Sequence, residues 1–350
     1  MIKALTYDDI NIVPKYSDIE SRIDIDISTR FTKKIRIKIP VVSTPMDTIT
    51  ELDMAREMME WGGAGIVHRF MSIEKQAEIM NKLCYMPESD HILLKNNLPR
   101  CAAIGVKGDY LERAQELVKN GCNVLVIDVA HGYHKLVGEA IETIKTKLET
   151  IEVVAGSVAT GEACEYLCEK GADTIRIGIG NGSLCETRIR TGVGIPQVTA
   201  LLDCVAVADT YGCPTIADGG VRNIGDVCKG LACGADTVML GSLLSGTKET
   251  PGSVEKIGEW PNEQLYKKYR GSASLDSKHD RGDDKNVEGN HKVIPYKGKV
   301  KRILKDIQEG LRSAFSYVGA NDISEFHSKV ELIEVTRAGN IEGKPHLLNS

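Results

Sequence analysis

Short apolar runs rich in β-branched residues alternate with amphipathic stretches along most of the chain. The runs fall at 40–43, 64–68, 101–106, 124–128, 152–156, 174–179, 214–218 and 237–241. Each is apolar at successive positions, the pattern of a strand covered on both faces of a parallel sheet. Stretches with helical spacing occupy 110–120, 135–148, 161–170, 197–211 and 224–233, each leading into the next run. Three of these stretches meet Gly121, Gly171 or Gly234 near their ends. A glycine there adopts the left-handed conformation that stops a helix. A last helix is expected over 301–317 and a short extra strand over 330–334.

Eight such alternations predict a (β/α)8, or TIM, barrel forming a single catalytic domain over 1–350. A doubly wound open sheet is the competitor. No Gly-x-Gly-x-x-Gly with a following acidic residue opens the first unit, which counts against it. Two stretches break the rhythm. Residues 180–196 form a long loop after the sixth strand. Residues 260–299 form a polar, glycine-bearing stretch after the eighth, most charged over 278–289. Both follow strand C-termini, the face on which barrels carry chemistry. The second is expected to be a mobile active-site flap.

Composition narrows the class. The 44 basic and 49 acidic residues give a net charge of -5, which argues against holding nucleic acid by bulk electrostatics. No run approaches a membrane span, and the first residues lack a signal-peptide core. Ten cysteines among 350 residues, none in a Cys-x-x-Cys pair, read as reduced thiols of a cytoplasmic protein. No His/Cys/Asp set has zinc-like spacing.

In a barrel, phosphate binds at the loops after strands seven and eight. Those loops read Ala217-Asp218-Gly219-Gly220 and Leu240-Gly241-Ser242. Glycines there either let backbone N–H groups approach a phosphate or simply make tight turns. Asp218 repels phosphate and suits ribose hydroxyls instead. Cys185 follows Gly178, Gly180 and Gly182 in the loop after strand six. A thiol there is more exposed and ionisable than one packed in a helix, such as Cys164, Cys168 or Cys204. It is a candidate nucleophile without a visible histidine partner, and the loop's carbonyls could hold a monovalent cation. Glu288 closes the charged stretch, where a solvated carboxylate and a functional one are both open. Asp128 ends strand four and points into the same mouth, while His68 and His131 read as ordinary strand-end histidines.

Together these loops resemble the IMP dehydrogenase/GMP reductase family. The motifs are Leu5-Thr6-Tyr7-Asp8-Asp9, Val42-Ser43-Thr44-Pro45-Met46-Asp47-Thr48, and the cysteine loop through Thr191-Gly192-Val193-Gly194-Ile195-Pro196-Gln197. Ala217-Asp218-Gly219-Gly220, Met239-Leu240-Gly241-Ser242, Tyr269-Arg270-Gly271 and Pro295-Tyr296-Lys297-Gly298 follow in order. The resemblance covers nearly the whole chain. It implies that Cys185 attacks C2 of a purine nucleotide, with Thr187 and Glu288 assisting proton transfer. Ser43, Ser183, Asp218, Gly219, Gly220, Gly241, Ser242, Tyr269 and Gly271 would contact the nucleotide. Asp128 and Gly178 would lie at the nicotinamide cofactor. The carbonyls of Gly180, Gly182 and Cys185 would form a K+ site, and a homotetramer is implied.

The direction of chemistry is a separate question. Dehydrogenases of this family carry an Arg-Tyr pair in the flap to activate water, whereas here Gly282 follows Arg281. No regulatory module interrupts 77–101, and Arg190-Thr191-Gly192-Val193-Gly194 and Tyr317-Val318-Gly319-Ala320 resemble reductases. Ala217-Asp218-Gly219-Gly220-Val221-Arg222, Gly241-Ser242-Leu243-Leu244 and the N-terminal motif resemble dehydrogenases. Asn181, Glu186 and Ser157 depart from the family, where proline, a small or apolar residue, and asparagine are usual. The balance of these features favours GMP reductase, converting GMP to IMP and ammonia with NADPH. IMP dehydrogenase, using IMP, NAD and water, is the alternative, and a catalytically silent purine nucleotide sensor is a third reading.

Overall fold

The computed structural model describes residues 3–85, 98–258, 262–271, 274 and 289–344. Eight parallel strands close into a barrel: β1 Val41–Ser43, β2 Ala64–Val67, β3 Arg100–Ile104, β4 Val124–Asp128, β5 Glu152–Val158, β6 Thr174–Ile177, β7 Thr215–Asp218 and β8 Thr237–Leu240. Closure is made by β8, which pairs with β7 through Ala217 and Val238 and with β1 through Met239 and Val42. Helices cross between the strands: α1 Leu52–Glu60, α2 Ile73–Cys84, α3 Tyr110–Lys119, α4 Lys135–Lys147, α5 Gly161–Glu169, α6 Gln197–Thr210, α7 Ile224–Ala232 and α8 Val300–Val318. Every apolar run of the sequence is a strand, as the barrel reading requires. Gly121, Gly171 and Gly234 sit at φ 91°, 94° and 92°, the left-handed stops expected of them. N-terminal caps are equally local: Ser72, Thr160 and Asn223 accept N–H bonds from Lys75, Ala163 and Asp226.

The continuous apolar runs are explained by two cores. Outward residues such as Val41, Leu125, Val153, Ile175 and Val238 pack against helix faces carrying Met58, Leu117, Ile141, Leu201 and Leu231. Inward residues Val42, Ile66, Ala103, Val126, Val154, Ile216 and Met239 fill the barrel, joined by Phe31, Ile35 and Ile37. Those last three lie on or beside the antiparallel pair Thr29–Arg30 and Arg36–Ile37, which stops the N-terminal end of the barrel. The expected extra strand is Leu332–Glu334, and it pairs with Ile10–Ile12, joining the two ends of the chain.

Two features were not expected from the sequence. The stretch 260–299 is not wholly loop: Gln264–Arg270 and His291–Pro295 join Glu255–Ile257 in a three-stranded antiparallel sheet. Its middle strand buries Lys267 and Tyr269 on alternate positions, so a lysine stands where the strand pattern calls for an apolar residue. The helices α1 and α2 also escaped the reading. The buried face of α1 is built from Met54, Ala55, Met58 and Met59, a soft pattern beside the leucine and isoleucine stripes elsewhere. Among the described residues no helix is long and apolar enough to cross a membrane.

Candidate active site

The inward positions of three strands turn from apolar to charged as they reach the C-terminal mouth. Asp128 ends β4, Arg176 sits in β6 and Asp218 ends β7. Arg176 is 4% exposed; its Nη2 donates to Asp128 Oδ1 at 2.8 Å, and its Nε lies 3.7 Å from Asp218 Oδ2. Burial opposes the guanidinium charge, but the two carboxylates outweigh it and hold the Arg176 pKa above its ordinary value. Burial pushes the Asp218 carboxyl up, with Arg176 pulling it back and Asp128 adding to the rise. Sequence reading missed Arg176. The available signal was a cation inside an otherwise apolar strand, tolerable only beside paired carboxylates.

The loop after β6 is held against the end of β7. A Cβ on Gly178, which sits at φ 147°, would fall 1.8 Å from the Asp218 carbonyl, so only glycine permits the approach. Asn181 then fastens the loop from several sides. Its Oδ1 accepts Arg188 Nη2, its Nδ2 donates to Gln197 Oε1 at 2.5 Å, and its carbonyl accepts the Gly220 N–H at 2.8 Å. Asn181 thus replaces the family's proline with a hydrogen-bonded hub.

Cys185 follows, half-buried, its thiol donating to Thr187 Oγ1 at 3.1 Å just as the short helix Thr187–Thr191 begins. By contrast, burial pushes the thiols of Cys122, Cys228 and Cys233 up to about 12, which keeps them protonated and unreactive at neutral pH. Residues Gly289 and Asn290 lie over this loop. Gly289 makes an antiparallel bridge with Cys185, and Asn290 N–H donates to the Leu184 carbonyl at 3.1 Å. From the three-stranded sheet, the Tyr269 hydroxyl meets that of Ser183 in the cysteine loop at 3.1 Å. Burial raises the Tyr269 phenol, which therefore stays a hydrogen-bond donor at neutral pH.

These groups enclose a cavity of about 620 Å³ lined by Cys185, Thr187, Ser183, Asp128, Asp218 and Tyr269. Gly178, Gly180, Gly182 and Gly271 complete the set of expected residues that reach it. Others stand differently. Ser43 is fully buried, its hydroxyl accepting from Thr50 Oγ1 at 2.8 Å, and the cavity is lined instead by Thr44 and Met46. The alternation of strand β1 turns Ser43 away, a one-residue difference that the motif alone could not register. Gly220 directs its N–H to Asn181, and Gly219 packs beside the same residue. Gly241 backs onto Tyr269, where a Cβ would stand 3.3 Å from the phenol oxygen. Ser242 Oγ donates to the Val221 carbonyl at 3.3 Å, across to the neighbouring loop. Glu288, Arg281 and Gly282 lie outside the described residues. Arg69, on the loop after β2, was not anticipated; its Nη2 donates to the Asp128 carbonyl at 3.4 Å.

A half-buried thiol on a glycine-rich loop at the C-terminal mouth of a (β/α)8 barrel defines a thiol-bearing barrel enzyme. The chain belongs to the IMP dehydrogenase/GMP reductase family of oxidoreductases: the profile described as "IMP dehydrogenase / GMP reductase domain" matches residues 4–346. It is similar to the inosine-5'-monophosphate dehydrogenase of Cryptosporidium parvum, at 37% identity over 388 residues, covering 98% of this chain and 95% of the relative. The dehydrogenase of Nitrosopumilus maritimus is 33% identical over 471 residues, covering 98% of each. That of Bacillus subtilis is 30% identical over 471 residues, covering 98% of this chain and 96% of the relative.

Proposed function

We propose that the protein is an IMP dehydrogenase, oxidising IMP with NAD and water to XMP and NADH. The named relatives support this direction over the reductase that the sequence features favour. The absence of an inserted module no longer separates the two, because the Cryptosporidium relative, named a dehydrogenase, aligns over only 388 residues. One observation still speaks for GMP reductase with NADPH: Gly282 follows Arg281 where a tyrosine is expected.

The observation carrying the chemistry is Cys185 beside Thr187 at the mouth of the cavity. The Cys185 thiol gives up its proton and its sulfur adds to C2 of the purine, so that an S–C2 bond forms as the C2=N3 π bond opens onto N3, which takes a proton. NAD held beside Asp128 and Gly178 would supply the acceptor for the hydride that leaves C2. Water then adds to C2, the S–C2 bond breaks, and the thiol is restored, so one difficult step becomes two. Thr187, whose Oγ1 is 3.1 Å from the sulfur, would pass a proton at this centre, and Glu288 would assist proton transfer in the same reaction. Asp218 receives ribose hydroxyls, and Ser183, Ser242, Tyr269 and the glycines at 219, 220, 241 and 271 surround the phosphate. A cavity of about 620 Å³ lies within the ordinary range for small-molecule sites. Asp128 and Gly178 border its cofactor side, where the Arg176 guanidinium pairs with the Asp128 carboxylate at 2.8 Å.

A K+ ion at the carbonyls of Gly180, Gly182 and Cys185 belongs to the same reading. The Gly182 carbonyl accepts the Cys185 N–H at 3.0 Å and has a second lone pair to offer. A homotetramer of single-domain chains completes it, and light scattering tests that assembly. The decisive assay follows nicotinamide absorbance with IMP and NAD against GMP and NADPH. NADH formation from IMP is expected. NADPH consumption on GMP alone would make the protein the reductase, and tight nucleotide binding with neither turnover would make it a sensor.

A further inference from the structure

Lys267 is 2% exposed, among the largest fully buried side chains of the protein. Its ammonium reaches three backbone carbonyls, those of Thr247 at 3.2 Å, Lys248 at 3.4 Å and Thr250 at 2.5 Å. No carboxylate is within ion-pairing reach of it among the described residues, and Glu249, the nearest in electrostatic effect, instead caps α8 through the Val300 N–H at 2.8 Å. Burial accordingly pulls the Lys267 pKa down, with Glu249 partly opposing. A buried ammonium costs several kcal/mol, offset here only by charge-assisted bonds to carbonyls. Methionine or leucine would fill the same volume without that cost, so the lysine earns its place through geometry.

That geometry links two parts of the site. The carbonyl cage is the downstream end of the turn after β8, in which Leu244 and Ser245 direct their N–H groups back to the Gly241 carbonyl. The upstream end is Gly241 and Ser242, the segment read above as a phosphate contact. Lys267 belongs to the flap-sheet strand Gln264–Arg270, and two residues on, along the same face, stands Tyr269. Tyr269 meets Ser183 of the cysteine loop at 3.1 Å and closes on Gly241. Two residues past the neighbouring strand, Lys297 repeats the contact, its ammonium donating to the Ser242 and Leu243 carbonyls at 3.0 and 3.2 Å. The Lys297 group is more exposed and the weaker of the two links.

We infer that Lys267 is a positioning residue for the nucleotide phosphate. Its ammonium locks the flap sheet onto the turn after β8, so that Tyr269 and Ser242 close on the phosphate from two sides. The inference rests on the proposed nucleotide site. Activity of the parent enzyme on IMP or GMP is therefore established first, and its absence sinks that reading rather than this one.

The test is a double-mutant cycle of Lys267→Met and Tyr269→Phe in the full-length enzyme. Lys267→Met is expected to raise the nucleotide KM about tenfold while kcat falls less than about threefold and the NAD(P) KM holds. Because the lysine acts through the tyrosine, the double variant should be little worse than the poorer single one. Additive effects, or a nucleotide KM close to the parent's in folded Lys267→Met, would overturn the inference. So would equal loss in both substrates' KM values, the mark of a merely structural role. Should Lys267→Met fail to fold, Lys267→Gln, which keeps two donors for the cage, is read by the same cycle. Small alkylammonium ions added to Lys267→Ala should restore the nucleotide KM, and a tetraalkylammonium ion, which has no N–H, should not.

Discussion

The two ends of the barrel are built by the same strands to opposite rules. At the N-terminal end the inward residues are Val124, Val154 and Ala64, stopped by the fully buried ring of Phe31. Buried carboxylates there are paired: Glu152, 2% exposed, meets Lys34 at 3.1 Å, and Asp236 meets Arg30 of the same hairpin at 3.2 Å. At the C-terminal end the strands continue to Asp128, Arg176 and Asp218, around open volume instead of a plug. Two carboxylates share one guanidinium, and glycine loops replace packed side chains. The closed end supplies stability so that the open end can hold buried charge beside a cavity. Breaking either should leave the other's property largely intact.

The largest separation is expected at Cys185. Cys185→Ala should lower turnover by about a thousandfold or more, because no second thiol lines the cavity among the described residues. Nucleotide affinity, measured by calorimetry, should change little, as the phosphate loops are untouched. The mirror experiment is Phe31→Ala. Removing a fully buried aromatic ring should cost about 3–5 kcal/mol in denaturant unfolding. Its kcat and KM should match the parent's. A catalytic defect in Phe31→Ala would show that the plug reaches the mouth, and the division between the ends would fail.

Arg176→Met probes the charge at the open end and combines both properties. It leaves Asp128 and Asp218 beside each other with only Arg69, 4.0 Å from Asp128, as a neighbouring cation, and breaking such a buried pair costs about 3–5 kcal/mol. The pH dependence has a definite sign. The Asp218 pKa is already raised by burial, and losing Arg176 removes the counterweight. The folded state then binds protons more readily than the unfolded chain, so stability falls as pH rises from the unfolded value through the folded pKa. The variant should therefore be closest to the parent in stability at acidic pH and furthest at neutral pH. A constant difference across that range would mean that the carboxylates are not the source of the loss.

The same contrast governs what could be read from the sequence. The closed end and the strand walls were legible because two-sided burial writes continuous apolar runs, and the glycines that stop helices recur at fixed places. Cys185 and Asp218 stood out by their places in the loops after strands six and seven, whereas Tyr269 was legible only as part of an ordered motif. Arg176 was hidden within a strand run, and its meaning depends on β4 and β7, which are distant in sequence. Lys267 was hidden for a related reason, since a lysine on the buried face made its strand look like loop. Ser43 and Thr44 show the finest limit: adjacent residues of one motif point opposite ways, and only the pleat decides which meets the cavity.

The smallest effect is expected at Asn181, and it tests whether the open end depends on its glycine loops alone. The Asn181 side chain joins Arg188 to Gln197, and Gln197 in turn donates to the Ile177 carbonyl at 2.8 Å at the end of β6. Asn181→Ala removes both side-chain links but keeps the backbone bond to Gly220. Each lost bond is worth about 1 kcal/mol, and Arg188, whose Nε has no hydrogen-bond partner among the described residues, would still hold the Ile195 carbonyl. Global stability should therefore fall by only about 1–2 kcal/mol. Turnover should fall about fivefold, because Cys185 and Thr187 ride on the segment that Asn181 pins. Hydrogen exchange offers the sharper measurement. Amides of 181–191 should exchange faster in the variant, while those of β4 and the Phe31 hairpin should not change. Equal acceleration at both ends would mean that the network stabilises the whole barrel rather than aiming the thiol.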